Sequence, residues 1–170
     1  QSEHVKVKGD NVIIDFNGKK GVQNTCKVKD KKLSKNLRTR KKTLKKTDRV
    51  FTYRVNNKYH SVTAQDVNKY LKQFGTITAK NFRTWSANIQ LIQLLQKSGE
   101  TNLQKAMKSS ISKVAEKMHH TSSICKKNYL NPELIQLFVD NNELFHKHFN
   151  DVSNNKVCNS FIAFLKETYL

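Results

Sequence analysis

The chain has 170 residues, with 32 Lys or Arg against 13 Asp or Glu and a formal net charge of +19. That length suits one domain with a hydrophobic core, and the charge opposes compaction unless a polyanion offsets it, so nucleic acid is the first expected partner. Cys26, Cys125 and Cys158 form no C-x-x-C pair and no disulfide framework, which fits a reducing setting, and no run approaches about 18 apolar residues, so no membrane span is expected.

Gln1-Ser2-Glu3-His4 has neither an initiator Met nor a signal-peptide pattern and reads as a cut or processed edge. Val5 and Val7 alternate with Lys6 and Lys8, and Gly9-Asp10-Asn11 is a turn. Val12 to Phe16 is a second strand, closed by the hairpin signal Asn17-Gly18, and Gln23 to Val28 returns as a third. The result is a small antiparallel sheet with Lys19 at a loop tip. Between Lys27 and Arg49, twelve Lys or Arg stand against Asp30 and Asp48, while Leu33, Leu37 and Leu44 recur at helical spacing. This predicts an amphipathic helix with a basic outer face, the second half being equally readable as a disordered tail. Val50 to Val55 alternates as a strand, and Asn56-Asn57 turns the chain.

Helices dominate from there. Thr63-Ala64-Gln65-Asp66 resembles a capping box ahead of Val67, Tyr70, Leu71 and Phe74 on one face. Thr78 caps a helix with an apolar stripe of Phe82, Trp85, Ile89, Ile92 and Leu95. Leu103, Met107, Ile111, Val114 and Met118 mark another. Asn131-Pro132 opens a helix containing Leu134, Leu137 and Phe138, and Val157, Phe161, Phe164 and Leu165 mark the last. The fold class is therefore α+β and mostly α-helical: a small antiparallel sheet carrying a lysine hairpin, packed on a helical body.

Four groups suit phosphodiester chemistry. Tyr129 is the candidate nucleophile, but a phenol with a pKa of about 10 needs positive surroundings or proton removal. Lys126, Lys127 and a histidine nine residues upstream would supply the first. His120 could donate to a phosphate oxygen as charge builds there, and the choice of it over His119 rests on the spacing to Tyr129. Arg83 offers a planar fork for two oxygens of one phosphate, and Lys80, three residues earlier, adds a phosphate contact. Lys19 is placed to protonate a leaving alkoxide, although Lys20 beside it leaves that choice open. Each also has an ordinary reading, as a packed tyrosine, a helix C-terminal histidine, a surface arginine or a turn lysine. His146-x-His148 has no further ligand nearby in sequence and is not read as a metal site.

Four strings stand in one order: Phe16-Asn17-Gly18-Lys19, Val67-Asn68-Lys69-Tyr70-Leu71, Thr78-Ala79-Lys80-Asn81-Phe82-Arg83-Thr84-Trp85, and His120-Thr121 through Tyr129-Leu130-Asn131-Pro132. Together they resemble the catalytic domain of small type IB DNA topoisomerases, the poxvirus and bacterial-type enzymes, from about Val5 to Leu134. The resemblance implies that Tyr129 attacks the scissile phosphate, forms a 3′-phosphotyrosyl bond and releases a 5′-hydroxyl strand. It implies that Arg83 and His120 hold the phosphate oxygens, that Lys19 is the general acid, and that Lys20, Lys80, Lys126 and Lys127 touch DNA. Double-stranded DNA is the implied partner of a monomer, neither metal nor ATP is implied, and the location would be intracellular: nucleoid, nucleus or viral factory.

The family usually has Gly or Asn before the histidine and Pro after the threonine, where this chain has His119 and Ser122. Its first catalytic arginine precedes the lysine hairpin. Residues 1–170 are thus expected to be the C-terminal part of the catalytic domain, lacking that arginine and the amino-terminal DNA clamp, and weak or inactive alone because such constellations act as a unit. A tyrosine recombinase shares the chemistry but typically places a histidine where Lys80 stands. A non-catalytic DNA-binding module would use the basic face alone, with affinity falling steeply in salt.

Overall fold

The computed structural model describes residues 1–18, 21–151 and 153–170; Lys19, Lys20 and Val152 lie outside the described residues. Two compact units emerge, Gln1–Tyr70 and Leu71–Leu170. The architecture is α+β and mostly helical, as the sequence implies.

In the first unit, β1 (Val5–Lys8), β2 (Asn11–Asn17) and β3 (Gln23–Lys29) form an antiparallel meander. Alternation sends Val5 and Val12 inward, where they meet Leu37 of α1 (Lys31–Lys41) and Val50. Asp30 caps α1, its carboxylate accepting from the Leu33 N–H at 2.7 Å. The helix stops short of Leu44, which belongs to a run of turns: Thr43 N–H donates to the Arg40 carbonyl and Leu44 N–H to that of Lys41. Leu44 still packs on the small core. The stretch after α1 is no loose tail. Its Lys46 and Asp48 carbonyls accept from the Glu3 and Ser2 N–H groups at 3.0 and 2.8 Å, while the Lys41 ammonium donates to the Ser2 carbonyl at 2.6 Å and also to that of Val5.

β4 (Thr52–Val55) starts two residues later than its alternation predicts, and an unanticipated β5 (Lys58–Ser61) pairs with it. Asn56 and Asn57 have φ of 46° and 63°, the left-handed pair required by a tight two-residue hairpin loop. α2 (Ala64–Leu71) is capped as foreseen, with Thr63 Oγ1 and Asp66 exchanging bonds at 2.7 and 3.2 Å. Its expected apolar face is not buried: Val67, Tyr70 and Phe74 are exposed. The unit boundary falls at its last residue in sequence, and none of its described residues is buried.

In the second unit, α3 (Ala79–Gln96) packs against α4 (Leu103–Lys117), α5 (Ser122–Tyr129) and α8 (Asn154–Tyr169), with α6 (Pro132–Asp140) and α7 (Asn142–His148) completing the body. The α4 stripe lies inward as its spacing predicts, and Leu134, Phe138, Val157, Phe161 and Phe164 join it. The buried run of α3 is Ala87, Asn88, Leu91, Ile92 and Leu95, with Trp85 and Ile89 partly buried. Phe82, expected on that stripe, is 58% exposed; it stands in the first turn, ahead of the buried run. Neither α5 nor α7 follows from the sequence periodicity, both being under three turns long. α7 brings the fully buried Phe145, whose ring meets Phe138 edge-on at 5.0 Å and Phe149 at 5.0 Å.

Candidate active site

The site is built on α3, on α5 and on the link before α5. α4 ends in a Schellman motif: the His119 N–H donates to the Glu116 carbonyl at 3.0 Å and the His120 N–H to that of Ala115 at 2.9 Å. His119 fills the left-handed position with φ 55°, where glycine or asparagine fits best. Its ring is exposed, whereas His120, one residue on, is half-buried. Thr121 then caps α5 by accepting from the Ile124 N–H at 3.3 Å. Ser122 occupies the first helical position, where proline is favoured because that N–H has no helical partner, and serine loses nothing there. Both departures at this loop thus have a backbone explanation.

α5 is eight residues long, so its two turns carry Tyr129 back over His120. The Tyr129 hydroxyl lies 3.3 Å from His120 Nε2, and the rings stack with centroids 5.3 Å apart at 26°. Two cations of α3 approach the same ring, Lys80 Nζ and Arg83 Cζ each 5.7 Å from its centroid. The Arg83 guanidinium also donates to the Met118 carbonyl at 2.9 Å, which ties it to the end of α4. Lys126 and Lys127, the sequence neighbours of Tyr129, are exposed. Lys127 lines the cavity of about 310 Å³ beside Tyr129, along with Trp85 and Phe161, and Lys126 faces other grooves. The α3 cations thus add to the positive surroundings of the phenol that its adjacent lysines were expected to supply.

One positioning residue escapes a motif-based reading. Asn88 is buried among the apolar residues of α3, and its amide donates to the Tyr129 carbonyl at 2.9 Å and to that of Thr84 at 2.8 Å. Its oxygen accepts from the Asn131 N–H at 2.8 Å. This fastens the end of α5 to α3 and so fixes where the phenol sits. The available signal was a polar side chain three residues after Trp85 and four before Ile92, on the apolar stripe. Cys125, one turn before Tyr129, is fully buried, and burial pushes its thiol up, which makes it an inert core residue.

Lys19 and Lys20 lie outside the described residues; on either side of them, the Gly18 N–H donates to the Val22 carbonyl at 2.8 Å. His146 and His148 serve α7 packing: His146 Nδ1 is 2.7 Å from the Gln96 side-chain oxygen, and His148 Nε2 is 3.6 Å from Glu167. No helix among the described residues is long and apolar enough to cross a membrane.

With this geometry in view, the family described as eukaryotic DNA topoisomerase I, catalytic core, matches residues 1–156. The chain belongs to this family. Among topoisomerases it is 28% identical, over 169 aligned positions, to DNA topoisomerase 1B of Acanthamoeba polyphaga mimivirus, a match covering 89% of this chain and 48% of that protein. The chain thus spans about half the length of this relative. As a topoisomerase catalytic core it has a tyrosine, a histidine and an arginine gathered on one helical scaffold.

Proposed function

We propose that the chain is the C-terminal part of the catalytic domain of a type IB DNA topoisomerase, with the DNA clamp and a further catalytic arginine supplied by sequence outside these residues. Tyr129 attacks the scissile phosphorus of duplex DNA, the 3′ phosphotyrosyl bond forms, and the 5′ oxygen leaves with a proton from Lys19. Arg83 and His120 stabilise the charge on the non-bridging oxygens, while Lys20, Lys80, Lys126 and Lys127 contact DNA. Supercoils relax while the strand is open, and the 5′-hydroxyl then reverses the attack. The phosphotyrosyl bond conserves the energy of the broken one, so closure draws on no ATP. The protein works as a monomer wherever its DNA lies within the cell or viral factory.

The observation that carries this reading is the phenol held 3.3 Å from His120 Nε2 with two α3 cations over its ring. The test uses duplex DNA with sulfur in place of the bridging 5′ oxygen, since a thiolate leaves without a general acid. A denaturation-resistant protein–DNA adduct is expected, absent in Tyr129→Phe; unmodified DNA should react weakly with the isolated chain. Duplex binding without an adduct by the full-length parent on this substrate, or an adduct that survives Tyr129→Phe, rejects the assignment.

A further inference from the structure

We propose that the β4–β5 hairpin of the first unit, braced by α1, is a stacking platform for unpaired bases of a nucleic acid. The proposal does not depend on the strand-transfer chemistry above.

A two-stranded ribbon has little intrinsic stability and ordinarily buries one face. Here Phe51, Tyr53, Val55 and Tyr59 remain 50, 45, 46 and 62% exposed. The register arranges these rings in pairs rather than scattering them. Tyr53 lies opposite His60, with ring centroids 5.6 Å apart and stacked at 26°. Arg54 lies opposite Tyr59, its guanidinium carbon 5.8 Å from the ring centroid. From α1, Arg40 sets a second guanidinium 4.4 Å from the Tyr59 centroid and anchors itself by donating to Thr52 Oγ1 at 2.8 Å. The left-handed Asn56-Asn57 loop fixes the ribbon that carries them.

These cations are not spent on carboxylates. None of the seventeen described Lys and Arg of the first unit lies within ion-pair distance of a described Asp or Glu. Exposed rings beside unneutralised guanidinium groups match one ligand chemistry best: a flat aromatic face joined to a phosphate, as in every nucleotide of a single strand. A duplex hides its base faces. An apolar protein surface would leave the guanidinium groups facing a partner that could not neutralise them.

The test measures the affinity of the whole chain, at fixed salt, for oligodeoxyuridine, oligouridine, an abasic oligomer with the same number of phosphates, and a duplex. The abasic strand should bind about tenfold more weakly than a base-bearing one, because stacking adds to the phosphate contacts. Tyr53→Ser with Tyr59→Ser should lower base-bearing strands to the abasic value, leaving abasic and duplex binding and the helical signal unchanged. Tyr53→Phe with Tyr59→Phe should retain the difference. A preference between oligodeoxyuridine and oligouridine, which share the base and differ only in the sugar, identifies DNA or RNA as the natural source. Equal binding of abasic and base-bearing strands overturns the proposal, as does a serine variant that loses duplex but not single-strand affinity. Adduct formation at Tyr129 is read separately, so failure here leaves that test intact.

Discussion

Among the described residues, those of 71–170 gather nineteen buried apolar side chains in one cluster, whereas those of the first seventy gather four. The charges run the other way: nineteen of the thirty-two Lys and Arg lie in the first unit, with six of the thirteen acids. Catalytic geometry needs side chains held to within a fraction of an ångström, and a deep core holds them. A polyanion-binding surface needs exposed cations, and these dilute the core that could have formed beneath them. The second unit is organised to fix atoms in place and the first to present surface.

The largest expected effect tests that contrast in stability. Phe145→Ala opens a cavity in the centre of the larger core and should cost about 3–5 kcal/mol. Leu37→Ala, in the smaller core with solvent close by, should fall nearer the lower bound of about 2 kcal/mol for such changes. Urea unfolding followed by circular dichroism compares them. Equal losses would show that core depth does not distinguish the units.

Next comes the link between core and site. Asn88→Ala leaves the Tyr129 carbonyl and the Asn131 N–H without the partner that now joins them, a cost of about 1–3 kcal/mol. Adduct formation on the thiolate-releasing duplex should slow at temperatures where the variant is fully folded. Loss of stability alone, with the rate unchanged, would make Asn88 a structural residue only.

Much of this was legible in the sequence because its signals are local. The first three strands, the caps at Thr63, Thr78 and Asn131 and the α4 stripe depend on neighbouring residues, and all appear. The Tyr129–His120 juxtaposition was legible because nine residues across a cap and a two-turn helix bring the chain back on itself. What stayed hidden depends on distant partners. Periodicity places Phe82 on a stripe but cannot say where the helix stops being covered. It gives no hint that Lys80 and Arg83 approach the Tyr129 ring, nor that Asn88 reaches across to Tyr129 and Asn131. β5 is too short and too polar to announce itself.

A smaller effect is expected at the loop before α5. His119 holds a left-handed conformation that costs a residue with a Cβ about 1–2 kcal/mol relative to glycine. His119→Gly should therefore raise the melting temperature modestly, offset in part by the greater freedom of the unfolded chain. Adduct formation should survive this change and fall in His120→Ala. The reverse result would transfer the phosphate role to His119.

The smallest effects lie in the surface carboxylates, where the units again differ. In the first, Asp15 is held below its usual range chiefly by the Gln23 amide and then by the Thr25 hydroxyl, and Asp66 by Thr63. In the second, Glu100 is lowered first by Lys105 and Asp151 by Lys156, Asp151 to about 2. A carboxylate lowered on folding adds stability above its unfolded pKa and loses it as the pH falls through the folded value. The Asp151 contribution is thus complete at neutral pH and disappears from near 3.8 down to about 2. Salt separates the two causes. At 1 M the screening length is about 3 Å, so a carbon-detected NMR titration should find Asp151 moved upward more than Asp15, whose main causes are the neutral Gln23 and Thr25 donors and whose Lys6 contribution is minor. The Asp151 shift should be partial, because the Ser153 N–H donates to it at 2.9 Å and carries no net charge for salt to screen. An equal response from Asp15 would mean that Lys6, a minor cause of its shift, outweighs the Gln23 and Thr25 bonds, and would weaken the contrast between the units.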